Sequence, residues 1–259
     1  MGKFSTILRA MRLEEWMDTL LIINISCIIS LFFIGLSSEI AIKYIIFILY
    51  VFSLLMYGFS LNSYADKKED ASVGKNAEFI KLSKISALFL IFLSGTLTLT
   101  IPLAFGKIYL AIYNLLIFAI TTAYSLKPIR LKERGLIGVL GSSLIRGALP
   151  FIIFAKVVNV PWALWIYLAI WMFLSEFIGD LIHHIDDFQN DERTNTKTWV
   201  QVIGLSKAKN ILKYVLLIYF LYAWIALFIF NIWNGIFIAI LITILNSQIY
   251  LEDLINSFL

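Results

Sequence analysis

Eight predominantly apolar runs follow one another along this chain, at 17–36, 40–61, 84–104, 107–123, 137–157, 161–182, 208–230 and 232–251. Each falls in the length range, about 17–25 residues, that crosses the hydrocarbon core of a bilayer as a helix. Lipid offers no hydrogen-bond partners, so such segments must satisfy their own backbone and are helical. Of the 259 residues 61% are hydrophobic and 15% charged, against about half and about a quarter in a soluble globule. No stretch is left over for a separate soluble unit. The sequence therefore predicts an all-α, polytopic bundle of eight spans, one membrane-embedded domain over 1–259, with the bilayer as its solvent. The first run lacks a small-residue cleavage site and reads as the first of many spans, not as a removed signal. Cys27 is the only cysteine. That excludes an internal disulfide and a cysteine-rich metal site, and leaves Cys27 as a small apolar filler.

The polar residues are sorted by side. Residues 1–16 carry Lys3, Arg9, Arg12, Glu14, Glu15 and Trp16, which suggests a short interfacial helix with Trp16 at the headgroups. The loops after spans two, four and six hold Lys67, Lys68, Lys75, Lys81, Lys84, then Lys127, Arg130, Lys132, Arg134, then Arg193 and Lys197. The loops on the other side offer only Lys43, Lys107 and Lys156. The positive-inside rule places the N-terminus and the three polar loops in the cytoplasm. Eight spans bring the C-terminus there as well. The net charge of +4 is accounted for by this topology, and no nucleic-acid partner is expected.

Two polar stretches close even-numbered spans. Asn62, Asp66 and Asp70 recur at i, i+4 and i+8, and so do His183, Asp187 and Asp191. On a helix these positions share a face, so each stretch is a ladder of carboxylates at the membrane edge. Clustered carboxylates repel one another and are costly to desolvate. They also sit at helix C-termini, where the helix dipole disfavours them. A divalent cation shared with a polyanion removes these penalties, and Mg²⁺ is held in this way by a few carboxylates plus substrate phosphates. The bland alternative, solvated acidic helix ends, explains one ladder but explains poorly two on one face with a basic loop between them. The spacing of the ladders also suggests two halves related by an axis along the membrane normal.

Other ionisable groups sit inside spans, where they are costly and usually face a polar cavity. Glu176 and Asp180 lie one turn apart in span six, and Arg146 in span five needs an anionic partner such as Glu176 or a ligand. Tyr124, Lys127, Arg130 and Lys132 follow span four and are suited to diphosphate oxygens that do not touch metal. His183 and His184 are the only histidines, and their Asp-rich surroundings favour Mg²⁺ over zinc.

These residues resemble the UbiA superfamily of intramembrane prenyltransferases over about 9–210. Asn62, Asp66 and Asp70 stand in register with the first motif, N-D-x-x-D-x-x-x-D, with Ser63 in place of its first aspartate. Asp187 and Asp191 match the second motif, D-x-x-x-D. Asp180 matches the aspartate before it, His183 stands where Tyr is common, and Lys197-Thr198 follow. The run Tyr124–Lys132 is similar to the family's loop after span four. Arg12 and Trp16 resemble its N-terminal Arg-Pro-x-x-Trp, with Leu13 for Pro. Gly74-Lys75-Asn76-Ala77-Glu78 stands where an Arg-Pro segment is usual, leaving phosphate contacts there to Lys75 or Lys81. The family's usual nine spans exceed the eight counted here.

The resemblance implies a central cavity across which Asp66, Asp70, Asp187 and Asp191 bridge Mg²⁺ ions to a prenyl diphosphate. Asn62, Lys127, Arg130, Lys132, Arg146 and His183 would contact the diphosphate, and Asp66, Asp187 and Tyr124 would serve catalysis. Glu176, Asp180 and Ser63 are further candidates. A lipophilic acceptor would take the prenyl group within the membrane. The rival class is a transporter or channel with acidic cation sites. Against it, the acids cluster at helix ends and not at the midplane, Glu176 excepted.

Overall fold

The computed structural model describes residues 12–74, 76–194 and 196–258. Among these every regular element is a helix, and seven are long and apolar enough to span a membrane. In chain order they are α1 (Leu13–Ile34) and α2 (Ser38–Ala65), then two short helices, α3 (Lys67–Val73) and α4 (Ala77–Ile80). Next come the spans α5 (Lys84–Phe105), α6 (Ile108–Ser125), α7 (Leu136–Val157) and α8 (Trp162–Asp186). Short helices α9 (Phe188–Thr194) and α10 (Trp199–Ile203) lead to the span α11 (Leu205–Ile229) and the last helix, α12 (Ile232–Phe258).

The spans alternate in direction, because tight turns join α1 to α2, α5 to α6, α7 to α8 and α11 to α12 at one face. Gly106, in the left-handed region at φ 67°, makes the turn after α5, a conformation open to glycine without strain. All longer polar connections lie at the opposite face. Ser37 and Ser83 start α2 and α5 by accepting backbone N–H bonds from Ile40 and Ser86 at 3.3 and 3.1 Å, satisfying donors that a helix start leaves open.

Among the described residues seven helices qualify as spans by length and composition, one fewer than the eight expected. The predicted eighth run folds into α12, one continuous helix of 27 residues. α12 returns across the bundle. Phe237 stacks on Phe32 near the end of α1, 4.9 Å between centroids, whereas the Tyr250 hydroxyl donates to the Ser175 carbonyl of α8 at 3.0 Å.

The core is aromatic, and one short polar chain crosses it. The Tyr50 hydroxyl donates to Asn114 Oδ1 at 2.8 Å, and Asn114 Nδ2 donates to the Thr98 carbonyl at 2.8 Å. This chain ties α2, α6 and α5 together where no water competes. Cys27 is buried and free, as expected of a filler. Phe92, Ile108, Trp162, Phe228 and Trp233 are among the large apolar side chains turned outward, as a lipid solvent allows. Trp16 corrects the sequence reading. It is fully buried, edge-on to Phe52 at 5.2 Å, and packs α1 against α2 instead of lying among headgroups. Residues 1–11 fall outside the described residues, and so does most of the interfacial helix expected there.

Candidate active site

Each acidic ladder is a corner, not a straight helix. α2 ends and α3 begins at Asp66 (φ −96°, ψ 5°), and α8 ends and α9 begins near Asp187 (φ −83°, ψ 0°). The i→i−4 bonds persist through both breaks: Asp66 N to Asn62 O and Asp187 N to His183 O at 2.9 Å, Asp70 N to Asp66 O at 2.8 Å and Asp191 N to Asp187 O at 2.9 Å. The expected register therefore holds while the axis changes. The same corner is built twice, and α3 packs against α9.

The two corners face a common cavity of about 390 Å³. Asn62, Asp66, Asp70, Asp187 and Asp191 line it, with Arg130, Lys132, Tyr124 and His183. Arg130 is buried and holds a left-handed backbone (φ 41°), a conformation costly for a residue with a Cβ and met mainly at functional sites. It turns the guanidinium back to Asp66 Oδ1 at 3.1 Å and to Glu133 Oε1 at 2.7 Å. Lys132 Nζ is ion-paired with Asp66 and lies 3.3 Å from Asn62 Oδ1. Asp66 is thus clamped by two cations. Asp70 bonds Asn76, and burial pushes its carboxyl above the usual carboxylate range despite that bond. Thr198 donates to Asp191 Oδ2 at 3.1 Å, and His183 Nε2 lies 3.3 Å from Asp187 Oδ2.

A second cavity of about 440 Å³ leads inward from the first, and Arg12, Glu15, Asn62, Tyr124 and His183 line both. It reaches Ile22, Leu54 and Leu55 at its apolar side, and Asp18, Arg146, Glu176, Asp180 and Tyr250 at its polar side. Arg146 Nη2 sits 3.0 Å from Glu176 Oε2 and is ion-paired with Asp180, so the partner expected for this buried cation is present. A π-helical segment, Leu144–Ala148, carries Arg146; such bulges reorient side chains inside helices, often at sites. Gly147 lets α7 approach α8 closely, since a Cβ there would lie 3.0 Å from Glu176 Cγ and 3.2 Å from the Met172 carbonyl.

Two candidates are not brought to the site. Lys127 is exposed and lines neither cavity. Ser63 is buried, and its hydroxyl accepts from Arg12 Nη1 at 3.4 Å; residue 63 lies on the flank of α2 that faces α1, away from the carboxylates. Lys75 lies outside the described residues. Sequence reading missed Asp18 and Thr198 as cavity residues. Asp18 carried a signal, a carboxylate within an apolar run, and Thr198 carried one in the Lys197-Thr198 segment that resembles the family's, though no role was given to it.

The donors suit a hard cation, being carboxylate oxygens without sulfur. Among the described residues no three His, Cys, Asp or Glu side chains converge into a ready ion cage. An ion here would take one or two carboxylates and complete its shell with a ligand's phosphate oxygens, the manner of Mg²⁺. Divalent metal and a cationic clamp beside an inward cavity can hold a diphosphate at the membrane edge with its tail inside.

The sequence model of the UbiA prenyltransferase family matches residues 23–253. No curated protein matches the chain at significant sequence similarity. The fold is similar to a UbiA homologue from Archaeoglobus fulgidus solved with DMAPP and Mg²⁺: TM-score 0.71 and 18% identity, over 97% of this chain and 85% of that one. The same homologue with GPP and Mg²⁺ gives 0.72 at 17% identity, over 98% and 86%. A digeranylgeranylglyceryl phosphate synthase gives 0.67 at 17% identity, over 99% and 91%. At such identities the likeness speaks for the fold.

Proposed function

Because the chain belongs to the UbiA prenyltransferase family, we propose that this multi-pass membrane enzyme moves a prenyl group from a prenyl diphosphate, held with Mg²⁺, to a lipophilic acceptor. One observation carries this reading furthest. The two aspartate corners line a single cavity that continues past Tyr124 and His183 into one with an apolar side at Ile22, Leu54 and Leu55, so a charged head and an isoprenoid tail each have a place.

In this reading Asp66, Asp70, Asp187 and Asp191 would hold Mg²⁺, which would supply charge to stabilise the departing diphosphate. Lys132 and Arg130 exchange part of their contact with Asp66 for phosphate oxygens as negative charge grows on the leaving group, and being preorganised they cost little reorganisation. Asn62 stays on Lys132 and His183 borders the diphosphate on its inner side, whereas Arg146 lines only the inner cavity, where Glu176 and Asp180 hold it. The allylic C–O bond breaks, its electron pair leaves with the diphosphate, and the acceptor attacks the allylic carbon. Tyr124, at the junction, offers its ring face to the developing cation. The apolar wall at Ile22, Leu54 and Leu55 keeps water from competing with the acceptor.

Labelled geranyl diphosphate and purified protein in detergent test this. Diphosphate release with Mg²⁺, abolished by chelation, is the expected result. No release with Mg²⁺, or Mg²⁺ flux in vesicles without release, overturns it, the second outcome in favour of transport.

We also propose that the face bearing the corners is cytoplasmic, on the strength of the Lys/Arg asymmetry. The three lysines of the far face are each engaged locally: Lys43 with Glu39, Lys107 with the Lys156 carbonyl at 2.7 Å, and Lys156 over the Trp165 ring at 4.6 Å. In a Cys27→Ala background, Lys67→Cys and Lys197→Cys should resist an impermeant thiol reagent in sealed cells and react after lysis. Labelling of either from outside would reverse the orientation.

A further inference from the structure

The inner cavity carries more negative charge than the diphosphate reading uses. Five carboxylates line it (Glu15, Asp18, Glu176, Asp180 and Asp186) against two guanidiniums, Arg12 and Arg146, a formal excess of three negative charges. Both cations are already engaged, Arg12 with Glu15 and Arg146 with Glu176 and Asp180. Thr19, itself buried, hydrogen-bonds the Glu176 carboxylate. Asp180 is 6% exposed, and its Oδ2 has no hydrogen-bond partner. Asp18 is exposed on α1 and marks where the cavity opens beside that helix. Glu176 lies ten residues before Asp186, about 15 Å along α8 and away from the aspartate corners.

We propose that this acidic wall, Asp18, Glu176 and Asp180, receives the head group of the acceptor. It selects one that presents hydroxyl or amine donors and no negative charge, against carboxylate- or phosphate-bearing acceptors. The inference rests on the prenyl-transfer reading and names its second substrate class. The physical argument concerns what each ligand would leave unpaired. A hydroxyl or ammonium group donates to carboxylate oxygens that have capacity left, and a small turn of the Asp180 side chain brings its unpartnered, buried Oδ2 within reach of such a donor. An anionic head group must instead take Arg146 from Glu176 or Asp180, which leaves a carboxylate uncompensated where burial makes that costly. It also meets Asp18 and Glu176 with like charge, the repulsive element by which a site rejects the wrong ligand.

Three probes of one shape separate the outcomes: 4-hydroxybenzyl alcohol, 4-hydroxybenzylamine and 4-hydroxybenzoate. They share the ring and phenol and differ in charge. Calorimetric titration of each into the full chain, saturated with Mg²⁺ and an unreactive geranyl thiodiphosphate, gives their affinities. The alcohol and the amine are expected to bind at least about tenfold more tightly than the benzoate, a discrimination of the size that like-charge juxtaposition imposes. Asp18→Asn and Glu176→Gln, both isosteric, should each narrow the gap by tightening the benzoate. Benzoate binding as tight as the alcohol, or no binding of any probe, overturns the proposal, and so does a gap untouched by both variants. Metal-dependent diphosphate release without acceptor is measured alongside; its loss condemns the prenyl-transfer reading, whereas its presence with the wrong probe order condemns only this one.

Discussion

Asp66→Asn and Asp187→Asn are each expected to lower prenyl-transfer turnover by at least about a hundredfold, the scale of losing one preorganised electrostatic contact to a transition state. Each residue is the corner of its array, and each lines the cavity where the diphosphate would sit. Asparagine keeps the size and an acceptor oxygen but removes the charge that holds a divalent ion. The two variants should differ in stability. Asp66 is the shared anion of Arg130 and Lys132, with its side chain 10% exposed. Its neutralisation leaves two cations short of a partner, at a cost of about 1–3 kcal/mol. One partner of Asp187 is a histidine that is 59% exposed, where solvent screens the pair, so Asp187→Asn should cost less stability than Asp66→Asn. Turnover in both variants like that of the parent enzyme would reduce the corners to solvated helix ends. Thermal midpoints in one detergent test the asymmetry.

Arg146→Met should destabilise the protein by about 3–5 kcal/mol, the cost of breaking a buried ion pair from one side. The loss arises from what remains. Glu176 and Asp180, with side chains 5% and 8% exposed, would keep two carboxylates one turn apart on α8 without their cation. The triple variant Arg146→Met/Glu176→Gln/Asp180→Asn should recover most of the loss, because it removes the uncompensated charges as well as the pair. A midpoint in Arg146→Met equal to wild type would mean that water in the cavity already solvates both acids. Activity does not substitute for the midpoint here, since Arg146 also faces the proposed ligand.

The sequence by itself determined the helical class, the shared side of the polar loops and the aspartates that line the outer cavity. Charge inside an apolar run costs too much to be incidental, so Asp66, Asp70, Glu176, Asp180, Asp187 and Asp191 stood out from composition and spacing alone. Backbone periodicity then set the register of both arrays, a local property that survived the helix breaks. Tertiary structure decided what depends on residues far apart in the chain. Lys132 and Arg130, but not Lys127, reach Asp66, because a left-handed backbone at residue 130 turns the loop back. Ser63 meets Arg12 of α1 and not the carboxylates, because one residue along α2 turns it about 100° from Asn62, onto the flank that α1 covers. Trp16 is core and not anchor, because α2 supplies Phe52 and Phe59 to cover it. The inner acidic wall gathers side chains from α1 and α8, and no spacing in the sequence can bring those two helices together. That wall exists only where packed helices leave a cavity between them.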